Sequence, residues 1–223
     1  MKFNLSWGLL IFLLGCILFV NQDDKKIKTG CVVILNGVSS SGKSTLQRLI
    51  SNQRKKEFWL SFGFDYGVAK TVPQYSYSYD FAYNNPNYFC QNIRCDDING
   101  PCVMLKYGQF GNQVIEGLHR AIKAYAQQGL NLAVDYLAYE NHWAQDLERC
   151  LKDIPHLWVK VYGEPNEIIE REKNRPNAVI GLARPYMNLI HKGINYELEI
   201  NTTKLTTEET LKQLNLAIDK ILK

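Results

Sequence analysis

At 223 residues, with 46% apolar side chains and no repeat or biased tract, the chain has room for one full core and a short appendage. Its 26 Lys and Arg against 22 Asp and Glu leave a net charge of +4 with no basic block, which gives non-specific nucleic-acid binding no support. A small molecule is the expected partner.

The appendage comes first. Leu5 to Val20 is almost wholly apolar, with Lys2 before it and a solvated run, Asn21 to Lys28, behind it. Such a segment reads as a signal peptide or a membrane anchor, attaching the chain through residues 5–20. Leu13-Leu14-Gly15-Cys16 hints at a lipoprotein processing site, but Ile17 to Val20 stay apolar where a processed lipoprotein turns polar. No small-x-small cleavage site ends the run, which favours an anchor. Lys25, Lys26 and Lys28 outnumber Lys2, so the positive-inside tendency leaves the main domain cytoplasmic; an ordinary export signal is the alternative. Residues 1–28 are thus appendage and linker, and residues 29–223 the globular domain.

Short apolar runs then alternate with long amphipathic ones, the pattern of a parallel sheet covered on both faces. Strands are expected at Cys31 to Leu35, Phe58 to Phe64, Leu130 to Asp135, Leu157 to Tyr162 and Tyr196 to Ile200. Helices are expected from Gly42 to about Gln53, and over Gly108 to Gln128, Glu140 to Leu151 and Glu167 to Asn174. The last helix starts at a capping box, Thr206-x-x-Glu209, and sets Leu211, Leu214, Ile218 and Ile221 on one face. Five parallel strands between two helical layers make an α/β fold. Val72 to Leu105 resists this pattern: it is rich in Tyr and Asn, has no sustained period, and at most a brief strand at Tyr75 to Tyr79. A long aromatic loop of this kind reads as a lid or binding loop.

Of the six cysteines, Cys16, Cys31 and Cys150 fall in apolar or amphipathic stretches and read as packing residues. Cys90, Cys95 and Cys102 lie in the long loop, and three thiols without a nearby His make a poor zinc set. In an exported domain two of them would pair; facing the cytosol they would stay free thiols.

Chemistry concentrates in Gly37-Val38-Ser39-Ser40-Ser41-Gly42-Lys43-Ser44, which fits G-x-x-x-x-G-K-[ST] between a strand and a helix. In such a phosphate loop the glycines let successive N–H groups point inward, and the helix N-terminus adds positive potential. The nucleotide-binding set is Gly37, Ser39, Ser40, Ser41, Gly42, Lys43, Ser44 and Thr45, with Lys43 on the β- and γ-phosphates and Ser44 on Mg²⁺. This points to a phosphate-binding loop set in the three-layer α/β fold, with Mg²⁺ beside the bound nucleotide.

Phosphoryl transfer needs a group to deprotonate the acceptor, and Asp65, closing the second strand, is the candidate; the plainer alternative is a turn aspartate. Asp135 closes the third strand and fits an Mg²⁺ partner acting through water. Arg171 and Arg175, four apart beside the hinge Pro176-Asn177, and Arg184 beyond it, suit a lid over the migrating charge; a solvated helix end with Glu167, Glu170 and Glu172 as partners is the alternative.

Val32 to Thr45, Ser61 to Asp65, Leu157 to Arg175 and Ile190 to Thr203 together resemble the chloramphenicol phosphotransferase family, in order and spacing, across roughly residues 31 to 220. The resemblance implies a P-loop kinase fold and ATP- and Mg²⁺-dependent transfer to a small-molecule hydroxyl. It makes Asp65 the catalytic aspartate and Arg171 and Arg175 the arginines of an R-E-x-x-R lid segment. The acceptor region departs from the family: it is longer, and is rewritten with Tyr75, Tyr77, Tyr79, Tyr83 and Tyr88 and the cysteine cluster. Other readings are a delivered kinase of another metabolite or nucleotide sugar, an NTP-binding switch, and a catalytically dead tethered module. No Asn-Lys-x-Asp string supports a guanine-reading switch.

Overall fold

The computed structural model describes residues 28–64, 72–73, 87–95, 98, 100–176 and 178–222. The apolar segment at residues 5–20, Asp65 and the Tyr75 to Tyr79 alternation lie outside them. Among the described residues no helix is long and apolar enough to cross a membrane.

Five strands form the main sheet: β1 (Val32–Asn36), β2 (Trp59–Gly63), β5 (Asn131–Tyr136), β6 (His156–Tyr162) and β7 (Leu198–Asn201), in the order β2-β5-β1-β6-β7. Every neighbouring pair is parallel. All five residues of β1 are buried because both faces of the sheet are covered, which is why the sequence reads as an unbroken apolar run there.

On one face α1 (Lys43–Gln53) and the final helix α6 (Thr207–Ile221) pack Leu46, Ile50, Leu214 and Ile218 against Val33, Leu35 and Val161. On the other, α2 (Gln109–Gln127) and α3 (Asn141–Leu151) set Ile115, Ile122, Trp143 and Leu147 against Ile34, Val134 and Tyr136. The capping box at Thr206 and Glu209 is formed, with both reciprocal hydrogen bonds. Of the expected stripe, Leu214 and Ile218 are fully buried while Leu211 and Ile221 sit at its edge.

The long central stretch contains structure that its sequence does not announce. Its described part folds as an antiparallel pair, β3 (Cys90–Arg94) and β4 (Val103–Tyr107), closed by a disulfide between Cys95 and Cys102 with Cα atoms 5.1 Å apart. Cys90 is not part of that bond and stays a buried thiol, with Cys31. The remaining helices are α4 (Pro165–Lys173) and the short α5 (Ala183–Tyr186).

A buried polar knot ties α2, β5 and α3 together. His119 has no exposed surface; its Nδ1 lies 2.7 Å from Asp146 and its Nε2 2.9 Å from the Tyr136 hydroxyl, while Arg120 also grips Asp146. Burial pushes the His119 imidazole below its ordinary value of 6.5, against the pull of Asp146. Burial pushes the Asp146 carboxyl up, but hydrogen bonds from Arg120 and His119 outweigh it and hold the group down to about 2. Both groups have folded values below their unfolded ones, so the unfolded chain binds more protons in acid and stability falls as pH falls. The His119 share is lost below 6.5, and the Asp146 share between its ordinary 3.8 and about 2. Urea midpoints measured across pH should decline accordingly, and Asp146→Asn should cost about 2 kcal/mol at neutrality and flatten the most acidic part of the decline. An unaltered pH profile in that variant would remove the knot from the account of stability.

Candidate functional site

The site grows from the carboxyl edge of β1. Asn36 ends the strand with a fully buried side chain: its Nδ2 donates to the Ile190 carbonyl at 2.9 Å and to the Tyr196 hydroxyl at 2.6 Å, and its Oδ1 accepts from the Ala138 N–H at 3.0 Å. The next residue leaves no room for a side chain. A Cβ on Gly37 would stand 2.0 Å from the Val161 carbonyl oxygen and 2.8 Å from the Ser41 Oγ. Further along the loop Ser40 and Gly42 take left-handed backbone angles, φ 62° and 100°, which turn the chain into α1.

Inside this turn Lys43 is almost wholly buried. Its Nζ donates to the Val38 carbonyl at 2.8 Å and lies 3.5 Å from Asp135 Oδ1. Asp135 reaches that point because parallel pairing puts it beside Leu35. Its other oxygen accepts from Ser44 Oγ at 2.5 Å, so a hydroxyl and a carboxylate converge at the head of α1. The buried hydroxyls of Ser40 and Ser41 have no hydrogen-bond partner among the described residues. Unsatisfied polar atoms are costly inside a protein, and here they sit in a loop of the kind that wraps a phosphate.

The loop forms one end of a cleft of about 540 Å³. Leu49, Leu205, Thr207 and Thr210 also line it, as do Arg171 and Arg175. The turn after β7 is shaped by Asn201, whose Oδ1 accepts from the N–H groups of Thr203 and Lys204 and from the Thr203 hydroxyl. That turn presents Thr202, which donates to the Ser41 carbonyl at 2.9 Å and is held by Arg171 through its Oγ1 at 3.0 Å and its carbonyl at 3.1 Å. Arg175, two residues beyond α4, reaches the loop itself, 3.4 Å from Ser39 Oγ. Arg184, on α5, does not line the cleft and stands beside Gly100 of the hairpin turn.

Sequence reasoning brought Lys43, Ser44, Asp135, Arg171 and Arg175 to one cleft, and all five line it. Asp65 lies outside the described residues; the strand that precedes it ends at Gly63, paired with Asp135. Sequence reasoning missed Asn36 and Thr202, and the alternative that made Glu172 a solvated partner does not hold. Far from a solvated partner, Glu172 is buried and accepts from the backbone N–H groups of Gly181 at 2.7 Å and Ala183 at 2.8 Å, pinning the returning lid segment to α4.

The chain matches the family model for chloramphenicol phosphotransferase-like proteins over residues 30–219. It belongs to that family. This makes it a phosphotransferase on a P-loop kinase fold. A Mycobacterium tuberculosis protein whose name provisionally makes it an O-phosphotransferase is 25% identical over 186 residues, covering 83% of this chain and 81% of that one. Among solved structures the fold is similar to the Mycobacterium tuberculosis APS kinase CysC in complex with AMPPNP and APS, at TM-score 0.56 and 11% identity over 86% of this chain and 98% of that one. A gluconokinase from Sinorhizobium meliloti gives TM-score 0.53 and 14% identity over 87% and 94%.

The geometry at Gly37 has a direct test. Gly37→Ala must push β1 and β6 apart and should cost about 3 kcal/mol, read as a lowered urea midpoint. Gly117→Ala, where an added Cβ meets nothing within 4 Å inside α2, should be neutral or stabilise by up to about 1 kcal/mol. Equal effects at the two positions would refute the close-approach account.

Proposed function

We propose that this phosphotransferase moves the γ-phosphoryl of ATP, with Mg²⁺, onto a hydroxyl of a small molecule. The observation that carries the reading is the convergence of Lys43, the Ser44 and Asp135 oxygens and the two orphaned serine hydroxyls at the head of α1. Ser40, Ser41 and the N-terminus of α1 supply donors for phosphate oxygens. Lys43, now leaning on the Val38 carbonyl, would turn to the β- and γ-phosphates. Ser44, with Asp135 behind it through water, would hold Mg²⁺, a cation that takes few protein oxygens and shares the rest with phosphates and water. When bound, the ion neutralises charge on the phosphates. Leu49, Leu205 and Thr207 offer the base a mixed apolar and polar slot, with Arg171 across its mouth.

On the acceptor side Asp65 takes the hydroxyl proton as general base. Near the end of β2 an aromatic group, Phe64, Tyr107, Tyr139 and Trp143, has ring centroids 4.6 to 6.5 Å apart, and Tyr139 also lines the cleft. Phe64 and Trp143 belong to the core behind it, so Tyr139 is the ring that this group offers to a planar or sugar-like acceptor. Arg175, already against the loop at Ser39, meets the charge on the migrating phosphoryl.

One observation favours a second reading, a kinase exported or delivered to another compartment. The Cys95–Cys102 disulfide is the kind of bond that persists where the surroundings are oxidising, whereas ATP chemistry belongs to the cytosol. An N-terminal anchor with a cytoplasmic domain and a cleaved export signal are separated by a C-terminal reporter active only in the cytosol.

Purified protein should consume ATP only with Mg²⁺ and an acceptor present, and a screen of hydroxyl-bearing antibiotics and sugars should show an ATP-dependent mass gain of one phosphate. Lys43→Ala should lose at least about a hundredfold in kcat/KM and abolish the melting shift that ATP gives. Asp65→Asn should keep that shift and lose transfer by about a hundredfold or more. Full transfer by Asp65→Asn would sink the base assignment, and an intact ATP shift in Lys43→Ala would sink the phosphate-loop assignment.

A further inference from the structure

A second cavity, of about 500 Å³, opens beneath the segment that returns from α5 to β7. Among the described residues it shares no lining residue with the nucleotide cleft; the phosphate loop borders both, Val38 facing one and Ser39 and Ser40 the other, and so does α4, through Ile168 and Arg171. Its place in the sheet also separates it from the acceptor. It adjoins the end of β6, whereas Asp65 follows β2, and the two strands lie on opposite sides of β1. The volume lies in the range of small-molecule sites.

The lining has a definite chemistry. Pro165, Ile168, Met187 and Leu189 make apolar walls, while Lys160, His191 and Lys192 supply the charged and titratable groups. Among the described residues no acidic one lines the cavity. Lys160 is paired with Glu199 at 3.0 Å, but the Glu199 side chain is half exposed, so the pair is weak and the ammonium can turn inward. Lys192 makes no ion pair among the described residues. His191 adds a donor without adding charge. His191 Nδ1 lies 2.8 Å from the Tyr196 hydroxyl, which also accepts from Asn36; in the tautomer in which Nδ1 accepts the Tyr196 proton, Nε2 carries the ring proton and is the donor. Burial, reinforced by the neighbouring charge of Lys160, pushes the imidazole down to about 4, so the ring is neutral in ordinary conditions.

Both walls of the cavity touch the phosphate loop's supports. The Val38 carbonyl holds Lys43, and Ile190, in the roof segment between Leu189 and His191, accepts from Asn36 at the root of the loop. A molecule wedged between these walls is felt where the phosphates bind.

We propose that this cavity is a regulatory site for a small molecule with an oxyanion head, carboxylate or phosphoryl, on an apolar body about one ring in size, and that its occupancy changes nucleotide affinity. Lys160 and Lys192 take the head as point charges, His191 Nε2 adds a hydrogen bond, and Met187, Leu189 and Ile168 cover the body. Because binding linkage is reciprocal, nucleotide must alter the affinity of the anion by the same factor.

The test uses the full chain saturated with a non-hydrolysable ATP analogue and Mg²⁺, so that the phosphate loop is filled. Phenylphosphonate and phenylacetate, titrated separately by calorimetry, distinguish a phosphoryl from a carboxylate head. The better probe should bind at about 1 mM or tighter. Lys192 is exposed, so Lys192→Glu should fold normally and weaken that binding about tenfold while leaving the analogue's own melting shift unchanged. Lys43→Ala should retain the probe. Binding that Lys192→Glu leaves untouched, a probe affinity that is the same with and without the analogue, binding lost in Lys43→Ala, or no heat from either probe at about 10 mM, would each overturn the proposal. If the analogue itself fails to bind, the nucleotide reading falls, while the titration of Lys43→Ala still decides the cavity.

Discussion

The approach of Gly37 to the Val161 carbonyl sets the level at which the chain leaves the sheet, and the phosphate loop takes its position from that point. Any side chain there would drive into a strand whose own place is fixed by pairing on both sides. One residue earlier, Asn36 hooks the end of β1 to the loop after β5 and to the segment ahead of β7. With the root held at these points, the register that pairs Leu35 with Asp135 suffices to bring the Asp135 carboxylate to Ser44 and Lys43. No flexible element is needed to assemble these three groups, and preorganised polar groups of this kind do most of the work in phosphoryl transfer.

The other half of the cleft is built from contacts between segments far apart in sequence. Thr202 touches the loop at Ser41 and is clasped by Arg171; the adjacent Glu172 turns to the opposite side and captures two backbone N–H groups of the return segment. Gly181, in that segment, accepts at its carbonyl from Val103 of the disulfide-closed hairpin and lies so near Pro101 that a Cβ would come within 2.5 Å of its carbonyl oxygen. The turn after β7, the end of α4 and the hairpin are therefore joined by one chain of contacts. A buried carboxylate with two amide donors is an economical clamp, since its loss strands both donors.

What could be read from the amino acids follows from where each constraint is local. The phosphate loop was legible because its glycines answer to close approach and to backbone angle within eight residues, and its flanking strand and helix are apolar at the right periods. The five parallel strands were legible for the same reason, with ends displaced by a residue or two where Asn36 and Tyr136 are buried without being plainly hydrophobic. The β3–β4 hairpin was not, because Gln91, Asn92, Ile93 and Arg94 give neither strand face an apolar identity and leave Ile93 in solvent. The cysteine pairing likewise depends on that hairpin's register rather than on spacing. The place of Glu172 was not legible because its partners are bare amides nine and eleven residues onward, which carry no side-chain signature. Asn36 and Thr202 act across 100 residues or more, or through the backbone, and leave nothing for a motif to catch.

The contacts of Asn36 also impose an order on the life of the molecule. Its partners stand 102, 154 and 160 residues downstream. During synthesis the complete G-x-x-x-x-G-K-S string emerges early, yet its strand must wait for β5, β6 and finally the Ile190 to Tyr196 turn before it has a fixed root. Contacts of such long range form late because loop closure must be met before they give any return. A chain stalled short of that turn carries every residue of the motif while the root of its loop still lacks the Ile190 and Tyr196 contacts. A ligand that recognises only the finished fold then draws the last steps of folding forward by mass action.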